Sequence, residues 1–337
     1  MTNTLVLGGT AWLGREVARQ AIAAGHRVSC LARGNGGIID GAELVLADRD
    51  RPDAYAEVAD RRWDLVIDVS RQPGQVRAAA AALGSTLGES GRWVFVSTGS
   101  VYLAGAEHHH GDESDPVRPP TTAEVATAES YGEGKVACEQ ALVEVLGADR
   151  VSIARAGLIA GPGDGSDRFG YWPAAFARAA ADGQAPVLVP DIGDQPIQLI
   201  DVRDTAGWLL HAGLDGHAGI FDIVGIPSTV GDVLAIARAA AGHTGETVTV
   251  SPEWLTAHQV RNWSGPTSLP LWLPDGHELS VSRPASAAVA AGLSRRPMVE
   301  MVADVLADEQ HRGLDRDRAA GLSRSEEHAL IDRAKSD

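Results

Sequence analysis

Thr4-Leu5-Val6-Leu7-Gly8-Gly9-Thr10-Ala11-Trp12-Leu13-Gly14 opens the chain. The first four residues read as a short strand, and the glycines that follow punctuate it. A helical pattern then sets Val17, Ala18, Ala21 and Ile22 on one face and stops at Gly25, after which Arg27-Val28-Ser29-Cys30-Leu31 reads as a second strand. Strand, glycine turn, helix and strand in about thirty residues make the unit that binds dinucleotides. Glycines allow the tight turn and let backbone amides approach a pyrophosphate, whose charge the helix N-terminus favours. Gly8, Thr10, Ala11, Trp12, Leu13 and Gly14 are therefore the candidate cradle. Beyond the second strand, such a unit meets the adenosine ribose with an acid for NAD or an Arg for the 2′-phosphate of NADP. Here the strand runs into Leu31-Ala32-Arg33-Gly34, with no acid, so Arg33 points to NADP ahead of NAD.

The same alternation continues outward. Leu44–Asp48, Leu65–Ser70, Trp93–Ser97 and Ser152–Arg155 read as further strands, with helices over Val76–Leu87 and from Tyr131 to about Leu146. Residues 104–122 read as a polar surface loop. The fold class is α/β, with a doubly wound, mostly parallel sheet. Ligands in such sheets bind beyond the strand C-termini, and Asp48, Ser70, Thr98 and Ala156 fall at or just past such ends. Past residue 225 the rhythm breaks into helices near Gly231–Ala241, Glu253–Val260 and Pro297–Gln310, a strand at Thr247–Val250, and a Pro- and Trp-rich stretch with Trp263 and Trp272. The expected organisation is a dinucleotide-binding domain over 1–225 and a smaller substrate lobe over 226–337, ending in a frayed, charged tail.

Lysine usage singles out a second site. The chain has two lysines against 27 arginines, and the one outside the tail is Lys135, in Tyr131-Gly132-Glu133-Gly134-Lys135. On a helix, positions i and i+4 share a face, so the ammonium reaches the neighbourhood of the phenol. A nearby cation favours phenolate, which a tyrosine needs for acid–base work. Arg would supply the charge as a planar fork, whereas Lys is a slim point charge.

These pieces in this order resemble an extended short-chain dehydrogenase/reductase, the NAD-dependent epimerase/dehydratase family. Gly8 to Gly14 resembles its G-x-x-G-x-x-G, with Ala11 in place of the middle glycine. Ser97-Thr98-Gly99-Ser100-Val101-Tyr102 resembles its strand-five motif, and Tyr131 and Lys135 fall on its Y-x-x-x-K. Arg155 to Gly161-Pro162 resembles its R-x-x-x-x-x-G-P turn, and Ile200–Asp204 its late strand-to-helix junction. The resemblance implies that Tyr131 gives or takes the proton on the substrate oxygen, that Lys135 holds the nicotinamide ribose, and that Thr98 hydrogen-bonds the same oxygen. It also implies that Ser97 belongs to the cofactor site, that Asp48 meets the adenine edge and that Ser70 and Ala156 line the nicotinamide end. A homodimer is the family expectation, through the two helices over Val76–Leu87 and Tyr131–Leu146.

Two departures bear on substrate. Leu158 stands where sugar-nucleotide enzymes of the family place an Asn against the diphosphate, and Gly99-Ser100 where dehydratases carry an Asp-Glu pair. Phe169, Tyr171 and Trp172 suggest an apolar or aromatic carbonyl compound, or else plain packing. The leading expectation is an NADP-dependent reductase of a small, non-nucleotide carbonyl substrate. Its alternatives are a sugar or sugar-nucleotide epimerase with tightly bound cofactor, and a cofactor-sensing regulator, against which the intact Thr98, Tyr131 and Lys135 argue.

A net charge of −16 argues against nucleic acid and anionic membrane as partners. Cys30 and Cys138 lack metal spacing, and His108-His109-His110 are consecutive, which does not suit one ion; no metal is expected. With no signal segment and no apolar run near 18 residues, the default compartment is the cytoplasm, and the sequon at Asn262 carries no meaning there.

Overall fold

The computed structural model describes residues 1–37, 39–103, 110–273 and 282–336. In chain order, β1 (Asn3–Leu7), α1 (Trp12–Ala23), β2 (Arg27–Ala32), β3 (Ala42–Leu46), β4 (Trp63–Asp68), α2 (Pro73–Leu83), β5 (Leu87–Thr98), α3 (Tyr131–Leu146) and β6 (Val151–Ala156) come first. β7 (Leu158–Ala160), α4 (Tyr171–Ala181), β8 (Val187–Pro190), β9 (Pro196–Ile197) and β10 (Leu199–Asp201) follow, then α5 (Val202–Leu214) and β11 (Gly219–Ile223). The remainder is β12 (Ser228–Thr229), α6 (Val230–Ala240), β13 (Thr247–Val250), α7 (Pro252–Ala257), β14 (Arg261–Asn262), β15 (Ser268–Leu269), α8 (Ser286–Ala290), α9 (Met298–Arg312) and α10 (Arg324–Ala334).

Contacts group these elements into two units: Met1–Gly157 with Val202–Val224 and Arg283–Ser294, and Leu158–Asp201 with Gly225–Ser282 and Arg295–Asp337. The chain passes between the units at more points than the one near residue 225, because residues 158–201 join the second unit and 283–294 return to the first.

The first unit is built on a seven-stranded parallel sheet in the order β11-β6-β5-β4-β1-β2-β3. Leu5, Val6 and Leu7 of β1 and Trp93, Val94 and Phe95 of β5 are fully buried, the near-continuous apolar run that a sheet covered on both faces requires. Winding reverses between β1 and β4, and the turn after β1 lies at that switch point. α1 packs with α5, and α2 with α3. α2 runs Pro73–Leu83 rather than 76–87, because Pro73 sets its first turn and Gly84 begins a 3-10 turn that delivers Leu87 into β5. β11 is a strand that the sequence pattern did not reveal.

In the second unit Phe169, Tyr171, Trp172 and Phe176 are almost fully buried with Leu158, Leu271, Trp272 and Leu273 in one core. The Trp172 indole N–H donates to the Pro270 carbonyl at 2.8 Å, and Trp263 packs partly buried against the same cluster. These aromatics are packing, so they no longer argue for an aromatic substrate. α7 stops at Ala257, short of the expected Val260, and Gln259 takes a left-handed φ of 62°. The tail is not frayed. Ser323 and Glu326 form a reciprocal cap on α10, Glu327 is buried against Arg178 at 2.7 Å, and Lys335 pairs with Glu246 at 2.6 Å. Of His108-His109-His110, the first two lie outside the described residues. Among the described residues no helix is long and apolar enough to cross a membrane.

A buried polar network ties α3 to the sheet. Glu139, 5% exposed, receives the Ser97 hydroxyl and the Arg155 guanidinium, the latter at 2.8 Å. Arg155 also lies over the Tyr102 ring, whose other neighbour is the Arg283 guanidinium. The Tyr102 hydroxyl donates to Asp222 at 2.7 Å, and Arg283 pairs with Asp222 and with Asp115, the latter at 3.0 Å. Removing one partner of a buried pair costs about 3–5 kcal/mol, since the other charge is left uncompensated. Glu139→Gln should therefore lower the melting temperature by about 6 °C or more; an unchanged calorimetric transition would contradict the assigned pairing with Arg155.

Candidate active site

Close approach dictates the glycine turn. Gly8 has φ 87°, a region that favours glycine, and a Cβ on Gly9 would lie 2.5 Å from the Cys30 sulfur. A Cβ on Gly14 would run into the Gly8 carbonyl oxygen. Ala11, the departure from the glycine pattern, is the N-cap of α1 at φ −70° and ψ 159°, ordinary extended backbone that alanine adopts without strain. No side chain caps α1 and no acid sits in its first turn. An uncapped helix N-terminus behind a turn opened by two glycines is suited to a pyrophosphate. Leu13 is buried beneath it, and Thr10 and Trp12 are half-buried beside it. Gly36 packs so tightly on Thr10 that a Cβ there would meet the Thr10 carbonyl. The segment after β2 is thus pressed onto the turn, with Arg33 exposed at its start.

The sheet register lines up the other ends. Leu7 pairs with Asp68, Asp68 with Phe95, and Thr98 with Ala156. Ser70, Thr98 and Ala156 therefore stand along one edge, on the same side as the glycine turn. Ser70 is held by Asp68, whose carboxylate accepts its amide at 2.9 Å and its hydroxyl, and Asp68 is paired with Arg49 at 2.9 Å. Asp48 is exposed two residues past β3 and accepts the Asp50 amide at 3.2 Å.

Lys135 joins this edge from α3. It is 2% exposed, and its Nζ donates to the Ser70 and Val96 carbonyls at 2.6 Å each, 4.6 Å from the centre of the Phe95 ring. An ammonium has three donors, so two bind it to the ends of β4 and β5 and one remains. Both glycines of the Tyr131–Lys135 run are needed. A Cβ on Gly132 would strike the Ser100 carbonyl, and one on Gly134 would lie 2.5 Å from the Ala126 Cβ. The first turn of α3 consequently lies against the 3-10 turn Gly99–Val101 that Thr98 caps by accepting the Ser100 amide at 3.2 Å. Arg118 reinforces the junction by donating to the Ser100 carbonyl at 3.1 Å and to Glu133 at 3.2 Å. This packing brings the Tyr131 and Thr98 segments together.

Burial withdraws four other reactive side chains. Burial pushes the Cys30 thiol up to about 11 and that of Cys138 to about 12, so neither is thiolate near neutrality. Burial, and after it the Asp222 carboxylate, raises the Tyr102 phenol well out of working range. Ser97 is buried with its hydroxyl committed to Glu139. Two further groups belong to the site that the sequence reading passed over. Arg71, directly after Ser70, sets its guanidinium 5.3 Å from the centre of the Tyr131 ring. Glu139 continues the Tyr131, Lys135 spacing by four residues, a periodicity that was readable in the sequence.

The sequence model of the NAD dependent epimerase/dehydratase family matches residues 4–223. A curated relative, dTDP-6-deoxy-L-talose 4-dehydrogenase (NAD(P)(+)) of Kitasatospora kifunensis, is 29% identical over 242 residues, 63% of this chain and 70% of that protein. Among solved structures, RMD from Pseudomonas aeruginosa complexed with NADPH superposes with a TM-score of 0.67 at 19% identity, covering 93% of this chain and 100% of the other. UDP-glucose 4-epimerase of Thermus thermophilus in complex with NAD gives 0.65 at 17% identity, covering 91% and 99%. The chain belongs to the NAD dependent epimerase/dehydratase family and is an NAD(P)-dependent enzyme of the extended short-chain dehydrogenase/reductase type.

Proposed function

We propose that the protein is an NADP-dependent reductase that interconverts a carbonyl and an alcohol by net hydride transfer, with Thr98, Tyr131 and Lys135 as its working groups. The observation that carries this reading is the Lys135 ammonium, buried at the strand edge with one donor left beside the tyrosine segment. Gly8 to Gly14 would hold the pyrophosphate, Asp48 the adenine edge, Arg33 the 2′-phosphate, and Ser70 and Ala156 the nicotinamide end, with Ser97 supporting the cofactor site through its bond to Glu139. Bound nicotinamide supplies the hydride. The Tyr131 phenol gives its proton to the substrate oxygen on reduction and takes it back on oxidation, the Thr98 hydroxyl donates to the same oxygen, and Lys135 stabilises the phenolate left behind.

The named relative is a sugar-nucleotide dehydrogenase, which favours net hydride transfer and a hydroxylated, sugar-like carbonyl over an aromatic one. Leu158, buried in the second unit's core, has no polar group for a diphosphate, which favours a substrate without the nucleotide. Keto sugars offered with and without a nucleotide diphosphate test this directly. A reductase consumes NADPH in step with product, whereas an epimerase product with no net NADPH change would overturn the proposal.

On a substrate that is turned over, Tyr131→Phe should keep the fold and cofactor binding while turnover falls by about 10²- to 10⁴-fold, the span for one acid–base group. Lys135→Arg should lose cofactor affinity as well as activity, because a planar fork does not fit the slot between the Ser70 and Val96 carbonyls. Near wild-type turnover in Tyr131→Phe would refute the assignment.

Cofactor choice follows from Ala32 and Arg33. The double change Ala32→Asp with Arg33→Asn should weaken NADP binding by about 10- to 100-fold, the worth of one charge-assisted contact, and favour NAD. Calorimetric titration of both cofactors checks it, and tighter NAD binding by the unaltered protein would contradict it.

A homodimer through α2 and α3 is part of the proposal, since their outward residues include the exposed Ala78, Ala81 and Val145. Light scattering at micromolar concentration should give twice the chain mass of 35.2 kDa.

A further inference from the structure

A second cluster of chemistry-bearing side chains lies away from the strand edge, at the C-terminus of α5. His211 and Asp215 stand four residues apart on one helical face, with His211 Nδ1 3.2 Å from an Asp215 carboxylate oxygen. Gly216, at φ 72°, turns the chain so that His217 comes back toward them. One donor atom from each of His211, Asp215 and His217 lies within 4.8 Å of the others. From this convergence we propose that the three side chains form a binding site for one divalent transition-metal ion of the zinc class.

A helical His–Asp pair on its own needs no third member. What the pair does not explain is the return of His217, and the frame that fixes all three. The Asp215 amide donates to the His211 carbonyl at 2.9 Å, and the His217 amide to the Ala212 carbonyl at 2.9 Å. The His217 carbonyl in turn accepts the buried Ser152 hydroxyl. Gly292, at φ 83°, lies against the far side of the His211 ring, where a Cβ would meet Nε2 and would sit 2.7 Å from Cδ2. The ring is thus backed on its Nε2 side and offers Nδ1 to the cluster. The His211 and His217 ring centres are 5.6 Å apart.

This donor set matches the ion proposed. Zinc takes imidazole nitrogens and carboxylate oxygens at about 2.0–2.2 Å, which places tetrahedral donors about 3.4 Å apart. The His211–Asp215 separation of 3.2 Å is already close to that spacing, and all three donors lie within 4.8 Å. Two imidazoles and one carboxylate suit zinc, nickel or copper and not magnesium or calcium, which prefer all-oxygen shells. The His211 and Asp215 side chains are 42% and 53% exposed, so the ion has a path in and a position left for water. Bound there, it clips the end of α5 to the segment that leads into β11, the strand that carries Asp222 of the buried network.

The test uses the untagged, chelator-treated full chain carrying His108→Ala, His109→Ala and His110→Ala, so that the other histidine run does not compete. Zinc chloride should bind with a stoichiometry of one by calorimetry and raise the melting temperature by about 3–8 °C at saturation, while magnesium chloride does neither. His217→Ala, which leaves the ring backed by Gly292 untouched, should remove both responses and keep NADPH binding. No zinc binding, or zinc binding that His217→Ala and Asp215→Asn both leave unchanged, overturns the proposal.

Discussion

The buried ammonium of Lys135 is the charge around which the strand edge of the first unit is organised. A charge that is 2% exposed must be compensated, and here the partners are two backbone carbonyls, one beyond β4 and one on β5. Both carbonyls exist at that spacing only because the strands are parallel, adjacent and in register. The ammonium in turn draws α3 onto the sheet edge, and with it the tyrosine one turn earlier. Arg or Gln would not substitute, one for its width and the other for its lack of charge.

Glycine serves the same end from the opposite direction. Gly132 and Gly134 stand just before Lys135 on α3 because carbonyl or side-chain atoms occupy the space a Cβ would need. Gly9 and Gly14 do so in the phosphate cradle. Ala11 shows the rule by its exception, since its backbone is ordinarily extended and its side chain is exposed. Close packing and not sequence fashion decides where the motif needs glycine.

Beneath these groups Glu139 joins the last residue before Thr98, the helix of Tyr131 and Lys135, and Arg155 of β6. Rigid support of this kind is what positions a proton donor and a hydroxyl on the same substrate atom. The carboxylate continues a helical spacing, yet nothing in the spacing announces which buried partners it will meet.

Sequence alone determined six of the seven sheet strands and the glycine turn after β1. Continuous apolar runs bounded by glycine, and helical spacing between them, are local properties, so β1, α1, β2 and the span of α3 were legible to within a residue or two. The segments of Thr98, Tyr131 and Lys135 were named from short local motifs, and the fold packs these segments against one another. Tertiary structure alone decided what the aromatic side chains do. Phe169, Tyr171 and Trp172 look alike as a wall or as a core, and only their burial with Trp272 and Leu271 separates the two. It alone also decided that 158–201 packs with the later part of the chain, that the charged tail is a capped helix, and that Arg71 stands over Tyr131. Each of these depends on contacts between residues far apart along the chain, and local propensity holds no record of them.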